Sequence, residues 1–144
     1  MPELNAAQIR EEIFRTTEQI VRITGRGPMF FRPPYIAVSE KMYEQIPLTF
    51  IAGIGCEDWN DQVSADERAE RICSGVTDGA VILLHDMEGN RKTVEALRLI
   101  IPELKQAGYR FVTLEQLFRE KGVSLSEDAD VKKRCCYSCV ISAL

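Results

Sequence analysis

Apolar positions recur at helical spacing from the start of the chain. Ile9, Ile13, Ile20 and then Ile23 or Thr24 follow Asn5 on one face, and Gln8 stands three residues after Asn5 as a capping-box partner. That spacing predicts an amphipathic helix over 5–24, closed by residues 25–28. The period then changes. Met29-Phe30-Phe31-Arg32 is a short apolar run halted by Pro33-Pro34, as a buried strand halts at a loop. Residues 38–46 predict a short helix with Ser39 near its start, and 48–52 a second strand.

Ser64-Ala65-Asp66-Glu67 is a second capping-box signature, continued by Ala69, Ile72, Cys73 and Val76 up to the turn residues Asp78-Gly79. Residues 80–85 predict a third strand, whose nearly continuous apolar character suits burial on both faces in a parallel sheet. The longest remaining helix is expected over 93–107, with Val94, Leu97, Ile100, Ile101 and Leu104 inward, a kink or break at Pro102, and Gly108 as C-terminal cap. A fourth strand at 109–112 precedes a last helix opened by Thr113-Leu114-Glu115-Gln116, with Leu114, Leu117 and Phe118 apolar. Beyond Gly122 the pattern dissolves. A helix followed by four strand–helix units argues for an α/β fold with right-handed crossovers. Four units cannot close a barrel of about eight strands, so the sheet is either open and doubly wound or part of a barrel.

The composition of the 144 residues, 45% hydrophobic and 28% charged, is that of a globular domain. A net charge of -4 gives no footprint for nucleic acid. The longest apolar run, 80–84, is far short of the ~20 residues that span a bilayer, and the first residues show no secretory signal. Five cysteines cannot all pair within one chain, and Cys136-x-x-Cys139 has metal-ligand spacing without a second pair nearby.

In parallel α/β folds chemistry gathers where strands end at their C-terminal edge, so Arg32-Pro33-Pro34-Tyr35, Cys56-Glu57-Asp58-Trp59 and His85-Asp86 are expected on one rim. His85, the single histidine, alternates with Val81 and Leu83 on one side of its strand, while Ile82, Leu84 and Asp86 face the other. It is either a hydrogen-bonded packing residue or, with a carboxylate beside it, a general acid; Asp58 is the candidate carboxylate. Asp86 is expected to satisfy backbone donors instead. Arg32 is expected in a partly desolvated place with a carboxylate partner. Pro33 and Pro34 carry no N–H, which makes the Tyr35 amide the first free donor after a rigid pair, as an oxyanion hole requires.

Phe31-Arg32-Pro33-Pro34-Tyr35, Asp58-Trp59 and Ile82-Leu83-Leu84-His85-Asp86, in this order, resemble the later motifs of the NodB-homology polysaccharide deacetylases, carbohydrate esterase family four. The helix ending Ile-Thr-Gly and the stretch from Ile101-Pro102-Glu103-Leu104 to Phe111-Val112-Thr113 share the likeness. The resemblance covers about residues 5–125 and implies a partial (β/α) barrel over 1–125, while the loss of pattern after Gly122 leaves 126–144 as a poorly ordered tail. It implies a hydrolase that removes acetyl groups from N- or O-acetylated glycans such as xylan, chitin-like oligomers or peptidoglycan, with a divalent metal such as zinc or cobalt. By the same resemblance Arg32 orients the catalytic base, the Tyr35 amide stabilises the oxyanion, His85 protonates the leaving group and Asp58 tunes it. Trp59 and Leu83 would line the acetyl-methyl pocket.

The family's Asp-Asp motif and its His-x-x-x-His motif, which supply the base and the metal ligands, do not occur in the chain. Ile36 stands where the family has Gly, and Gly55 where it has the first Asp of Asp-x-x-Asp-Trp. No metal ligand is therefore assigned. The expectation is a fragment of a longer enzyme, a truncated gene model, or a chain whose exposed sheet edges are covered by a second copy or by a missing N-terminal half. Resemblance also implies a secreted or cell-surface setting. The competing reading is a non-catalytic carbohydrate-binding module that keeps Trp59, Tyr35 and Arg32; an unrelated open α/β ligand-binding domain is disfavoured because no Gly-rich phosphate loop follows a strand.

Overall fold

Asn5 starts the first helix as its spacing requires. In the computed structural model, which describes residues 1–123 and 142–143, Asn5 Oδ1 accepts from the Gln8 N–H at 3.0 Å and Gln8 Oε1 from the Asn5 N–H at 2.9 Å. Helix α1 (Ala6–Thr24) ends at Gly25, whose left-handed φ of 77° lets its N–H reach Val21 O. Two compact units divide the described residues, one holding 1–52 and one holding 53–123 with 142–143.

In the first unit, β1 (Phe30–Phe31) and β2 (Thr49–Phe50) pair in parallel. Between them lie a 3₁₀ turn (Pro34–Ile36) and helix α2 (Glu40–Gln45), capped by Ser39. The core is Ile9, Met42, Ile46 and Phe50, with Phe31 edge-on to Phe50 at 5.1 Å and Tyr43 at 4.5 Å. The predicted apolar face of α1 holds only in part. Ile9 is buried and Ile13 and Ile20 are half-buried, but Ile23 is 78% exposed, because α2 is six residues long and meets α1 through Met42.

The second unit is built on α3 (Ala65–Gly75) packed against α4 (Arg91–Gln106). Cys56, Ala69, Ile72, Val76, Ala96, Ile100 and Leu104 form its core, and Ile54, Ile82 and Leu84 pack onto it. Val94, predicted inward, is 54% exposed, and Thr93 and Ala96 take the buried positions instead. Helix α4 runs through Pro102 without a break. Pro102 is exposed, so the carbonyl that its missing N–H leaves unpaired can be served by solvent.

The predicted third strand is reduced to one parallel bridge, Ile54 with Ile82, held by Ile54 N–H to Val81 O and Leu83 N–H to Ile54 O, both at 2.8 Å. Residues 81–85 are half-buried rather than covered on both faces. Gly53 makes the close approach possible, since a Cβ there would lie 2.6 Å from Val81 O. The fourth strand, β3 (Tyr109–Arg110), pairs antiparallel with β4 (Ser142–Ala143), not in parallel. Helix α5 (Leu114–Glu120) buries Leu117 and Phe118 behind the predicted Thr113–Gln116 capping box. Apart from Ser142 and Ala143, the predicted tail, with Cys135, Cys136 and Cys139, lies outside the described residues.

Candidate active site

The chain turns sharply after Cys56. Glu57 adopts a left-handed φ of 55°, the Asn60 N–H closes onto Glu57 O at 2.8 Å, and Arg71 holds the Glu57 carboxylate at 2.7 Å. This turn sends Asp58 inward, to 2% exposure, and leaves Trp59 outward, 61% exposed. A buried carboxylate needs donors, and Asp58 has them. Oδ2 accepts from the His85 backbone N–H at 2.7 Å and from the Thr93 hydroxyl at 3.1 Å, while Oδ1 lies 2.8 Å from His85 Nδ1. Burial pushes the Asp58 carboxyl up, but the hydrogen bonds from the His85 backbone, the His85 ring and Thr93 outweigh it and hold it below the ordinary carboxylate value. An ionised carboxylate only accepts, so His85 Nδ1 carries the proton and Nε2 is the atom open to chemistry on a side chain 31% exposed.

Leu83 is half-buried two residues before His85, on the side of the segment opposite Ile82 and Leu84, which pack on the core. The structure therefore brings Asp58 and His85 into direct contact, with Trp59 and Leu83 next to them along the chain. Arg32 and Tyr35 belong to the first unit. Arg32 is exposed and has no ion-pair partner among the described residues, contrary to the desolvated place expected, because β1 ends at Phe31 and Arg32 lies past it. Asp86 is exposed and accepts no backbone hydrogen bond among the described residues; Asp58 receives the His85 N–H instead.

The Arg32–Tyr35 loop is held by its backbone. Pro33 is extended, and Tyr35 and Ile36 are both left-handed, at φ 57° and 54°. Two successive non-glycine residues there cost about 1–2 kcal/mol each, most clearly for the β-branched Ile36. Ile36 and Ala37 N–H close onto Pro33 and Pro34 carbonyls at 3.0 and 3.1 Å, while the Tyr35 N–H meets no acceptor among the described residues.

Three polar residues at the Asp58 site escaped the sequence reading. Arg68, 1% exposed, donates from Nη1 to Thr93 Oγ1 at 2.9 Å and to Asn90 Oδ1 at 2.7 Å. Asn90 Nδ2 donates to the carbonyls of Asp58 and His85 at 3.1 and 3.2 Å. A signal was present: Arg68 and Thr93 occupy the same stripes as Ala69, Ile72 and as Ala96, Ile100, where polar side chains are out of pattern.

No protein-family model matches the chain. A bifunctional xylanase/deacetylase of Pseudobutyrivibrio xylanivorans is 47% identical over 124 residues, 86% of this chain and 21% of that protein. A peptidoglycan-N-acetylglucosamine deacetylase of Bacillus cereus is 34% identical over 125 residues, 83% of this chain and 45% of that protein. Among solved structures, a family 4 acetyl xylan esterase from Clostridium thermocellum, in complex with a cobalt ion, superposes with a TM-score of 0.88 at 39% identity, covering 97% of this chain and 67% of that one. The chain belongs to carbohydrate esterase family four. Its fold is accordingly part of the NodB-type (β/α) barrel, which reconciles the few strands with the strand–helix order predicted. The chain spans between a fifth and a half of the length of these two curated relatives. A divalent metal is found in the family, in the acetyl xylan esterase as cobalt. Among the described residues of this chain no three His, Cys, Asp or Glu side chains converge on a point that could hold one.

Proposed function

We propose that this chain supplies the proton-donating part of a family four deacetylase that releases acetate from acetylated glycans. The observation that carries the reading is the Asp58–His85 pair: a buried, ionised carboxylate on Nδ1 and an accessible Nε2. In acetyl transfer to water, the bond from the acetyl carbon to the sugar nitrogen or oxygen breaks as that atom gains a proton. With Nδ1–H held on Asp58, the doubly protonated ring carries its second proton on Nε2, and that proton passes to the leaving atom, which leaves the ring neutral with its remaining proton on Nδ1. Trp59 and Leu83 flank the pair and offer apolar surface for the acetyl methyl. In the first unit, the Tyr35 N–H is a fixed donor suited to an oxyanion, and Arg32 is a cation suited to orienting a carboxylate. The described residues do not fit a metal, and no step above passes through one. Xylan is the preferred substrate class, since the more identical relative is a xylanase/deacetylase and the acetyl xylan esterase is the solved structure reported above.

The test is acetate release from acetylated xylan and from chitin oligomers, with a divalent metal and with a chelator control. The chain is assayed alone and mixed with the N-terminal segment of a family four esterase. Release from xylan that disappears on His85→Ala supports the reading. Glycan binding without release in every mixture, unchanged by His85→Ala, means a carbohydrate-binding module instead.

A further inference from the structure

A guanidinium that is 1% exposed requires an account of every donor it carries. Among the described residues no carboxylate pairs directly with Arg68. Nε donates to Val63 O at 3.0 Å, Nη2 to Asn60 O at 3.0 Å, and Nη1 to both Asn90 Oδ1 and Thr93 Oγ1. The nearest opposite charge along these bonds is Asp58, one hydroxyl away through Thr93.

A guanidinium has donors and no acceptor. The Thr93 hydroxyl therefore receives from Arg68, and its single proton is directed to Asp58 Oδ2. With Oδ2 already taking the His85 backbone N–H, Oδ1 is left for the imidazole. The same Nη1 fixes Asn90: its amide oxygen faces Arg68, so its NH₂ faces the Asp58 and His85 carbonyls and ties the two backbones together. We propose that Arg68 is a positioning residue that sets the direction of every hydrogen bond from Thr93 and Asn90 to Asp58, and so holds His85 with its proton on Nδ1 and Nε2 facing outward. This deepens the acid role proposed above and rests on it for its meaning in catalysis, but the tautomer itself is read without substrate.

His85 is the only histidine, so its ring nitrogens give unambiguous signals in long-range ¹⁵N–¹H NMR of the full chain. The wild type, Arg68→Lys (still only a donor) and Thr93→Ser (still a hydroxyl) are expected in the Nδ1–H form. Arg68→Gln places an amide oxygen where it competes for the Thr93 proton, and near-isosteric Thr93→Val removes the hydroxyl. In both, Asp58 loses the hydroxyl donor that fixes Oδ2 and with it the placement of Oδ1 on Nδ1, and the Nε2–H form is expected to rise to a detectable share of the neutral ring population. Asp58→Asn, able to donate to Nδ1, marks the inverted signal. Circular dichroism and cooperative melting establish that each variant is folded, and Thr93→Val answers if Arg68→Gln does not fold. An Nε2–H ring in the wild type, or folded Arg68→Gln and Thr93→Val that stay wholly Nδ1–H, overturns the proposal. That outcome leaves acetate release untouched as a separate question, just as a chain without acetate release can still show the tautomer set by Arg68.

Discussion

The two units hold their candidate chemical groups by opposite means. In the first, the Arg32–Tyr35 loop is rigid through its main chain: two prolines, a 3₁₀ turn and two left-handed residues, with Tyr35 fully exposed and Arg32 unpaired among the described residues. In the second, Asp58 and His85 are held by side chains, and no buried side-chain nitrogen or oxygen among the described residues lacks a partner. Backbone strain positions an amide, which needs no side chain. A titratable pair needs donors and acceptors of fixed polarity around it, which only a buried network supplies.

Asp58 is the position on which the second unit depends most. Asp58→Ala leaves the Thr93 hydroxyl, the His85 N–H and the buried Arg68 charge short of their acceptor, and a loss of about 3–5 kcal/mol in urea unfolding is expected. Thr93→Val removes one link and is expected to cost about 1–3 kcal/mol by the same measurement. The loop in the first unit should respond with the opposite sign. Ile36→Gly relieves a left-handed β-branched residue, and after the entropy that glycine adds to the unfolded chain a gain of about 0.5–1 kcal/mol is expected.

The smallest effect is on acid stability. Asp58 has a lowered value in the folded chain, so its contribution is present above the ordinary carboxylate value of 3.8 and is lost as pH falls through the lowered one. A melting series from pH 5 downward should show a component that Asp58→Asn lacks.

Much of this was readable from the residues. Capping residues Asn5, Ser39, Ser64 and Thr113 all sit where their spacing put them, because a hydrogen bond that a side-chain oxygen accepts from the amide three residues on is encoded locally. The Asp58–His85 pairing was legible as a motif and as chemistry. Strands were not: residues 80–85 look like a doubly covered strand, but a strand exists only where a partner pairs, and one bridge is what residues 53–55 provide. Arg68 was missed because a cation in a helix is ordinarily read as solvated, and only Asn90 and Thr93, more than 20 residues away, show why it is buried. The left-handed Ile36 is the reverse case. The family's glycine predicts the backbone, and this chain keeps that backbone without the glycine.

Proton delivery to the leaving group by His85, oriented by an ionised Asp58, is the step on which the proposed function turns. It is tested most directly by the rate of acetate release from acetylated xylo-oligosaccharides by the mixed assembly described above, comparing wild type with Asp58→Asn. A fall in kcat of about 100- to 10,000-fold with KM little changed is expected, since a neutral amide no longer stabilises the doubly protonated ring that donates from Nε2. An Asp58→Asn protein that is folded and releases acetate at the wild-type rate contradicts the account.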